Sequence, residues 1–392
     1  MKAFKIKNGL QASRYLLSST TISGSTIDLS LGSMFSTTLS SDPAYTFTNP
    51  PASGVAQAFS LEVAGGTTTF TQDSFATNIY SGTGSAQTIT TGLDLATDGG
   101  LVWIKWRSSA LGSSNHALYD TERGVNKILY SDTTAAEATA ADSLTAFNSN
   151  GFTLGADSAY GRVNYNGTNQ VAWTFKKQAK FFDIVTYTGT GSAQNISHNL
   201  GAVPAVMMVK SLSSGSRWNV YHKDASPTGN PQNGRMALNT TDAWAEAPGV
   251  SVFANLWNQT APTDSVFTVG SYNDTNASGE NFVAYLFAHD TASDSRIQCG
   301  SYTGNGANTG ILQDLGWIPQ WIMVKVSSST DGWILLDSVR GVTGGNDPRL
   351  EANTNAGEAS GTIMEFSSTG FTPLTTDGKI NGSGKTYIYM AI

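Results

Sequence analysis

Asp120 and Glu122 are the closest carboxylates in this sequence with a spacing suited to glycan hydrolysis. Two carboxyl groups must flank the scissile bond, about 5–5.5 Å apart for retention or about 6.5–9.5 Å for inversion. Residues i and i+2 of a strand share a face at about 7 Å, which brings this pair into range. A related segment further on, Leu335-Leu-Asp337-Ser-Val339-Arg340, has valine where the second carboxylate would stand. Asp120 and Asp337 are therefore assigned to a turn, paired with Arg123 and Arg340, and no catalytic residue is named.

The other reactive side chains are scattered. His116, His198, His222 and His289 show no His-x-x-x-His or His-Cys spacing, so neither a metal site nor a Ser-His-Asp triad is expected. One cysteine, Cys299, excludes an intramolecular disulfide and any zinc site built from several cysteines. Gly82-Thr-Gly84 and its copies have the glycines of a phosphate loop, but no Lys-Ser/Thr follows, so they read as turns. No cofactor is expected. Calcium stays open, because Asp274-Thr-Asn-Ala-Ser-Gly-Glu280 and Asn346-Asp347 offer hard oxygen ligands in loops.

Lys105, Lys210 and Lys325 close three similar apolar runs. They are expected to be strand-end charges that snorkel to water. The functional alternative is contact with a partner or with a carboxylate of the next unit. Exposed aromatic rings stack on sugars, and four tryptophans are candidates for this. Trp218 and Trp333 occupy matching positions, while Trp244 and Trp257 lie in a long insertion, Trp244–Thr263, where Trp257 is expected to be exposed.

These residues sit in a repeated framework. Tyr80-Ser-Gly-Thr-Gly-Ser-Ala-Gln87 recurs as Tyr187-Thr-Gly-Thr-Gly-Ser-Ala-Gln194 and, weakened, as Tyr302-Thr-Gly-Asn-Gly-Ala-Asn308. An apolar strand closed by lysine follows each time: Leu101–Lys105, Val206–Lys210 and Trp321–Lys325. Leu118-Tyr-Asp-Thr-Glu-Arg-Gly124 matches Leu335-Leu-Asp-Ser-Val-Arg-Gly341, while the second copy departs with Val220-Tyr-His-Lys-Asp224. Phe147-Asn-Ser-Asn-Gly-Phe152 matches Phe366-Ser-Ser-Thr-Gly-Phe371. The closing strands are Val171–Phe175, Phe282–Phe287 and Tyr387–Ile392. The chain stops inside the last of these, which implies that more sequence follows. A period above one hundred residues gives each copy room for its own core, unlike solenoid repeats.

Short apolar or aromatic segments between Gly/Ser/Asn/Asp clusters predict strands at Gln87–Thr90, Leu101–Trp106, Ala117–Tyr119, Gly151–Leu154 and Gln170–Phe175. Runs apolar at every position, such as Trp321–Val324, must be covered on both faces. The Ala-rich stretch Thr134–Leu144 reads as a loop or a single turn. The expected fold is all-β: tandem antiparallel β-sandwich domains, jelly-roll or lectin-like, behind a small N-terminal β module. That module has strand-like runs at Thr26–Leu31, Phe35–Leu39, Tyr45–Thr48 and Ala58–Val63, around the turn Asn49-Pro-Pro-Ala-Ser-Gly54. The boundaries read as 1–77, 78–182, 183–298 and 299–392, the last apparently incomplete at its C-terminal end.

Composition narrows the function. Charged residues make up 13% against a usual ~25%, and 41 glycines suit strands joined by tight turns. A net charge of −7, with no basic cluster beyond Lys176-Lys177, speaks against nucleic-acid binding. No apolar run reaches the ~20 residues of a membrane helix, so no membrane insertion is expected. The first residues lack the apolar core of a signal peptide.

The string Tyr187-Thr-Gly-Thr-Gly-Ser-Ala-Gln194, continued by Ile196-Ser-His-Asn-Leu-Gly201, Val203-Pro204 and Val209-Lys210, resembles a repeat of virion structural proteins of tailed bacteriophages, marine and cyanobacterial ones among them. Leu118–Gly124 and Phe147–Gly155 resemble further parts of it. Thr46-Phe-Thr-Asn-Pro-Pro-Ala-Ser-Gly-Val-Ala-Gln-Ala-Phe59 is similar to the head module of tail-fibre-like proteins. The resemblance implies a structural, non-enzymatic virion component, a tail fibre or appendage, assembled in the host cytoplasm. It implies a homotrimer that joins other virion proteins through the N-terminal module and displays its repeats to the host surface, surface glycan included. The alternatives are a capsid decoration or cement protein and a carbohydrate-binding module protein.

Overall fold

The computed structural model describes residues 73–107, 112–157, 162–246, 255–292 and 295–392, and the backbone of five short strands before residue 66. The chain divides into two compact units, Met1–Thr69 and Phe70–Ile392. In the first, Thr20–Thr21 pairs with Met34–Leu39, which pairs with Ser60–Gly65, and Thr26–Asp28 pairs with Thr46–Thr48. All these pairings are parallel. Parallel neighbours require crossovers instead of hairpins. The expected turn Asn49–Gly54 lies outside the described residues.

Residues 70–392 hold three copies of one all-β sandwich. Each copy has a six-stranded antiparallel sheet of the same order. An opening strand lies at one edge, beside the closing strand, and the lysine-bearing strand comes next. In the first copy these are Phe75–Ser81, Asn169–Lys176 and Gly100–Trp106, followed by Ala117–Asp120, Lys127–Tyr130 and Ala138–Thr139. The second runs Phe182–Thr188, Asn281–Phe287, Val206–Ser211, Asn219–His222, Gly234–Ala237 and Ala245–Glu246. The third runs Gln298–Thr303, Thr386–Ala391, Trp321–Val326, Trp333–Asp337, Asp347–Glu351 and Ala359–Gly361. A smaller sheet faces each: Leu144–Asn148, Gly151–Leu154 and Gln87–Thr90 in the first, and the corresponding three in the third. In the second, Gln194–Ser197 and Val266–Val269 form it among the described residues.

The five strands predicted for the first copy are all present. The expected domain boundaries cut strands: the opening strands begin at Phe75, Phe182 and Gln298. The third sheet is as complete as the others, because Thr386–Ala391 is paired on both sides. Thr134–Leu144 forms a loop with the two-residue strand Ala138–Thr139.

Side chains alternate across a strand, and this explains the uninterrupted apolar runs. In the first copy Val102, Ile104, Tyr119 and Ala172 face the small sheet and build a core of that copy alone. Leu101, Trp103, Leu118 and Trp173 point the other way, into a central core that all three copies share. The third copy divides the same way, with Ile322 and Val324 inside its own sandwich and Trp321 and Met323 in the centre. The copies therefore do not stand as independent domains. Phe175 marks where they meet: its ring centroid lies 5.6 Å from Phe287 of the second copy and 5.6 Å from Trp321 of the third. Such edge-to-face aromatic pairs add about 0.5–1.5 kcal/mol to the area they bury.

Candidate functional site

The repeated Tyr-x-Gly-x-Gly turn closes on an asparagine. Asn164 Oδ1 accepts the N–H of Thr83 at 2.9 Å, and its Nδ2 donates to the carbonyls of Ser85 and Gly155 at 2.7 and 2.6 Å. Asn276 does the same for Thr190 and Ser192, at 2.8 and 2.6 Å. Asn381 does it for Asn305 and Ala307, at 3.0 and 2.8 Å. The motif tyrosine secures the residue before each asparagine: Tyr80 donates to Val163 O at 2.8 Å, Tyr187 to Thr275 O at 2.6 Å and Tyr302 to Ile380 O at 2.7 Å. The first glycine must be bare, since a Cβ on Gly82 would lie 2.1 Å from Tyr165 O. The turn is a structural clasp. Its asparagine was missed in the sequence, although Asn164-Tyr-Asn-Gly167, Asn276-Ala-Ser-Gly279 and Asn381-Gly-Ser-Gly384 share one Asn-x-x-Gly spacing.

The three lysines do not snorkel to water. Lys105, Lys210 and Lys325 are 1%, 0% and 0% exposed. Their ammonium groups donate to main-chain carbonyls: Trp106 O at 2.8 Å, Ser211 O at 2.7 Å and Val326 O at 2.9 Å. Two of them also reach another copy, Lys105 to Asn355 O at 3.4 Å and Lys325 to Thr241 O at 3.3 Å. Burial among dipoles, with no carboxylate in hydrogen-bond contact, pushes each pKa down to about 8.

Between copies, equivalent positions make equivalent bonds, the first set always to the preceding copy round. Trp218 Nε1 donates to Tyr130 O at 2.8 Å, and Trp333 Nε1 to Ala237 O at 3.0 Å. His116 fills this position in the first copy, with Nε2 3.0 Å from Glu351 O. Its Nδ1 accepts the indole N–H of Trp103 at 3.0 Å, so the neutral Nε2–H tautomer satisfies both partners. A second set joins main chains. Glu137 N–H donates to Leu212 O at 3.1 Å, Trp244 N–H to Ser327 O at 2.8 Å and Glu358 N–H to Arg107 O at 2.8 Å. The three copies thus close a cyclic ring within one chain.

The Asp-x-x-Arg turns belong to this ring. Asp120 accepts the backbone N–H of Arg123 at 2.9 Å and its Nε at 2.5 Å. Asp337 holds Arg340 the same way, at 2.8 and 2.5 Å. Each aspartate then accepts one bond from the next copy: Asp120 from Tyr285 Oη at 2.7 Å, Asp337 from Trp173 Nε1 at 2.9 Å. His222 stands in the second copy's aspartate position, with Nε2 3.0 Å from Tyr389 O of the third copy. Burial holds His222 down at about 4 and His116 well below the usual imidazole range.

The two carboxylates weighed for glycan hydrolysis are split. Asp120 is fully buried, while Glu122 points elsewhere and pairs with Lys177 at 2.5 Å. The tryptophans considered as sugar-stacking candidates also turn inward. Trp218, Trp257 and Trp333 are at most 1% exposed, and half-buried Trp244 lies against Gly234. Trp257 is drawn in by an edge contact with Tyr221, ring centroids 6.1 Å apart. Asp347, one of the oxygen ligands considered for calcium, accepts backbone N–H bonds from Thr343, Gly344, Gly345, Ile363 and Met364, which pin two loops. Glu280 accepts from Ser211 and Ser214 at 2.7 and 2.8 Å. Among the described residues no three His, Cys, Asp or Glu side chains gather to hold a metal ion.

A family model described as a domain of unknown function, DUF7483, matches residues 71–392. The chain belongs to that family. The DUF7483 match covers the compact unit Phe70–Ile392, so it spans all three copies together with their seams. Comparison with curated proteins finds no match.

Proposed function

We propose that this protein is a structural component of a bacteriophage virion, a tail fibre or related appendage. Its N-terminal unit is the mount and its DUF7483 ring is the part displayed. The carrying observation is where the repeated polar residues are used. The clasp asparagines, the buried lysines, the aspartate/histidine positions and the tryptophan/histidine positions all serve internal bonds of the ring. That is the expenditure of a scaffold, whose working surface is built on loops that differ between copies. The repeat's resemblance to virion proteins supports the particle as its setting.

The homotrimer that the resemblance implies stays part of the proposal, each chain contributing a ring already closed by its own three copies. Purified virions, probed with antibody to the full chain, are expected to carry the label on tails or their appendages in electron micrographs. Virions free of the protein would overturn the proposal, and label confined to heads would replace the appendage with a capsid decoration.

A further inference from the structure

The three seams are alike in backbone and unlike in charge. Where the third copy meets the first, Glu358 donates its N–H to Arg107 O at 2.8 Å. The Glu358 carboxylate then takes the Arg107 guanidinium as a fork, with Nε at 2.8 Å and Nη2 at 3.0 Å. Arg340 of its own copy steadies the carboxylate from behind, with Nη1 at 3.2 Å.

Where the first copy meets the second, the same frame is present. Glu137 donates its N–H to Leu212 O at 3.1 Å, and Arg123 Nη1 lies 3.3 Å from the Glu137 carboxylate. Leu212 stands in the place of Arg107, and it brings no guanidinium. Instead a groove of about 330 Å³ remains, lined by Glu122, Arg123, Glu137, Tyr187, Leu212 and Asn281 among others. The remaining cation at Glu137 is Lys127, a looser contact at 3.5 Å from a side chain that is 40% exposed. At the remaining seam Trp244 replaces the glutamate and Ser327 replaces the arginine, so neither half of the pair exists there.

We propose that the groove between the first and second copies receives an arginine side chain from a partner protein. The ring itself contains the precedent, since the sister seam holds a guanidinium on the equivalent carboxylate. The chemistry favours arginine over lysine. A planar fork matches a carboxylate two bonds at a time, whereas an ammonium acts as a point charge. The apolar faces of Leu212 and Tyr187 suit the methylene stem. One seam of three has the site, so each ring takes one such arginine.

The full chain titrated with N-acetyl-arginine amide tests this, with binding read by calorimetry and by chemical-shift changes. Saturable binding is expected. N-acetyl-lysine amide should bind about tenfold more weakly, and Glu137→Gln should weaken the arginine probe by about tenfold or more. Leu212→Arg should abolish binding, because the variant fills the groove with its own guanidinium. Circular dichroism checks that each variant is folded, and Glu137→Gln carries the test if Leu212→Arg is not. No saturable binding to the wild type, unchanged binding to a folded variant, or equal binding of the lysine probe would each overturn the proposal. Free arginine binding more tightly than the capped form would make the occupant a small molecule, and that too would overturn it.

Discussion

Trp333 of the third copy donates its indole N–H to the carbonyl of Ala237 in the second, 3.0 Å away. Trp218 and His116 make the same bond at the other two seams, at 2.8 and 3.0 Å. Each seam therefore carries a buried ring N–H that donates to a main-chain carbonyl of the neighbouring copy.

Trp333→Phe keeps most of the packing and removes only the donor. Ala237 O keeps the N–H of Thr240 at 3.3 Å, so the lost bond should cost about 0.5–1.5 kcal/mol. The loss should appear as a lower urea midpoint with one transition for the whole 70–392 unit, because the central core is common to the three copies. A variant that melts in separate steps, with two copies unaffected, would show that the seams are not coupled.

Asn276→Ala should be among the most damaging single changes outside the centre. Its side chain makes bonds to Thr190, Ser192, Gly270 and Gln194. Each ordinary bond contributes about 0.5–1.5 kcal/mol, and the groups left behind add their own burial cost. A loss of about 2–4 kcal/mol is expected from chemical denaturation. Asn276→Asp should fail as well, since a carboxylate cannot donate to Ser192 and Gly270.

The lysines predict a stability that climbs with pH. Each folded-state pKa lies near 8 and the unfolded value is 10.5. Between those values the unfolded chain carries a proton that the native chain lacks, so stability rises as pH rises. The slope is at most about 1.4 kcal/mol per pH unit for each lysine. From about pH 7.5 to 9.5 the stability of Lys210→Met should climb less steeply than the wild type's, by at most about 1.4 kcal/mol per pH unit. Taking the difference removes the contributions of Cys299 and the tyrosines, which are common to both proteins. Parallel climbs would refute the assignment.

The histidines predict the opposite edge. His222, held at about 4, stays neutral in the fold while the unfolded chain protonates near 6.5. Stability is therefore intact above 6.5 and drains away as pH falls towards 4, again by at most about 1.4 kcal/mol per pH unit. His222→Gln keeps a donor towards Tyr389 O and removes the titration. Its midpoint should vary less with pH than the wild type over that window, and an unchanged acid profile would exclude His222 as the cause.

Much of this architecture was legible because strand patterning is local. Period-two burial, Gly-rich turns and five ordered landmarks located the sandwich strands, and Asp120 with Arg123 lie three residues apart in one turn. The ring was not legible because its bonds join residues of different chemistry: His116, Trp218 and Trp333 hold one position with two kinds of ring. Lysine burial was hidden for a related reason, since carbonyl acceptors exist at every residue and leave no mark in composition. Trp257 reads as exposed because it sits in an insertion, yet its ring packs edge-on against Tyr221 of its own sheet. The parallel strands before residue 66 follow from crossovers whose length no local pattern reveals.

Covalent linkage of the three copies has an evolutionary consequence. In a ring of identical chains every inherited substitution lands three times, so a change useful at one joint must be tolerated at the other two. Here each joint is encoded separately, and Arg107, Leu212 and Ser327 record that freedom. Such a ring acquires three distinct sides without recruiting a second gene, and its lopsidedness is copied at fixed stoichiometry.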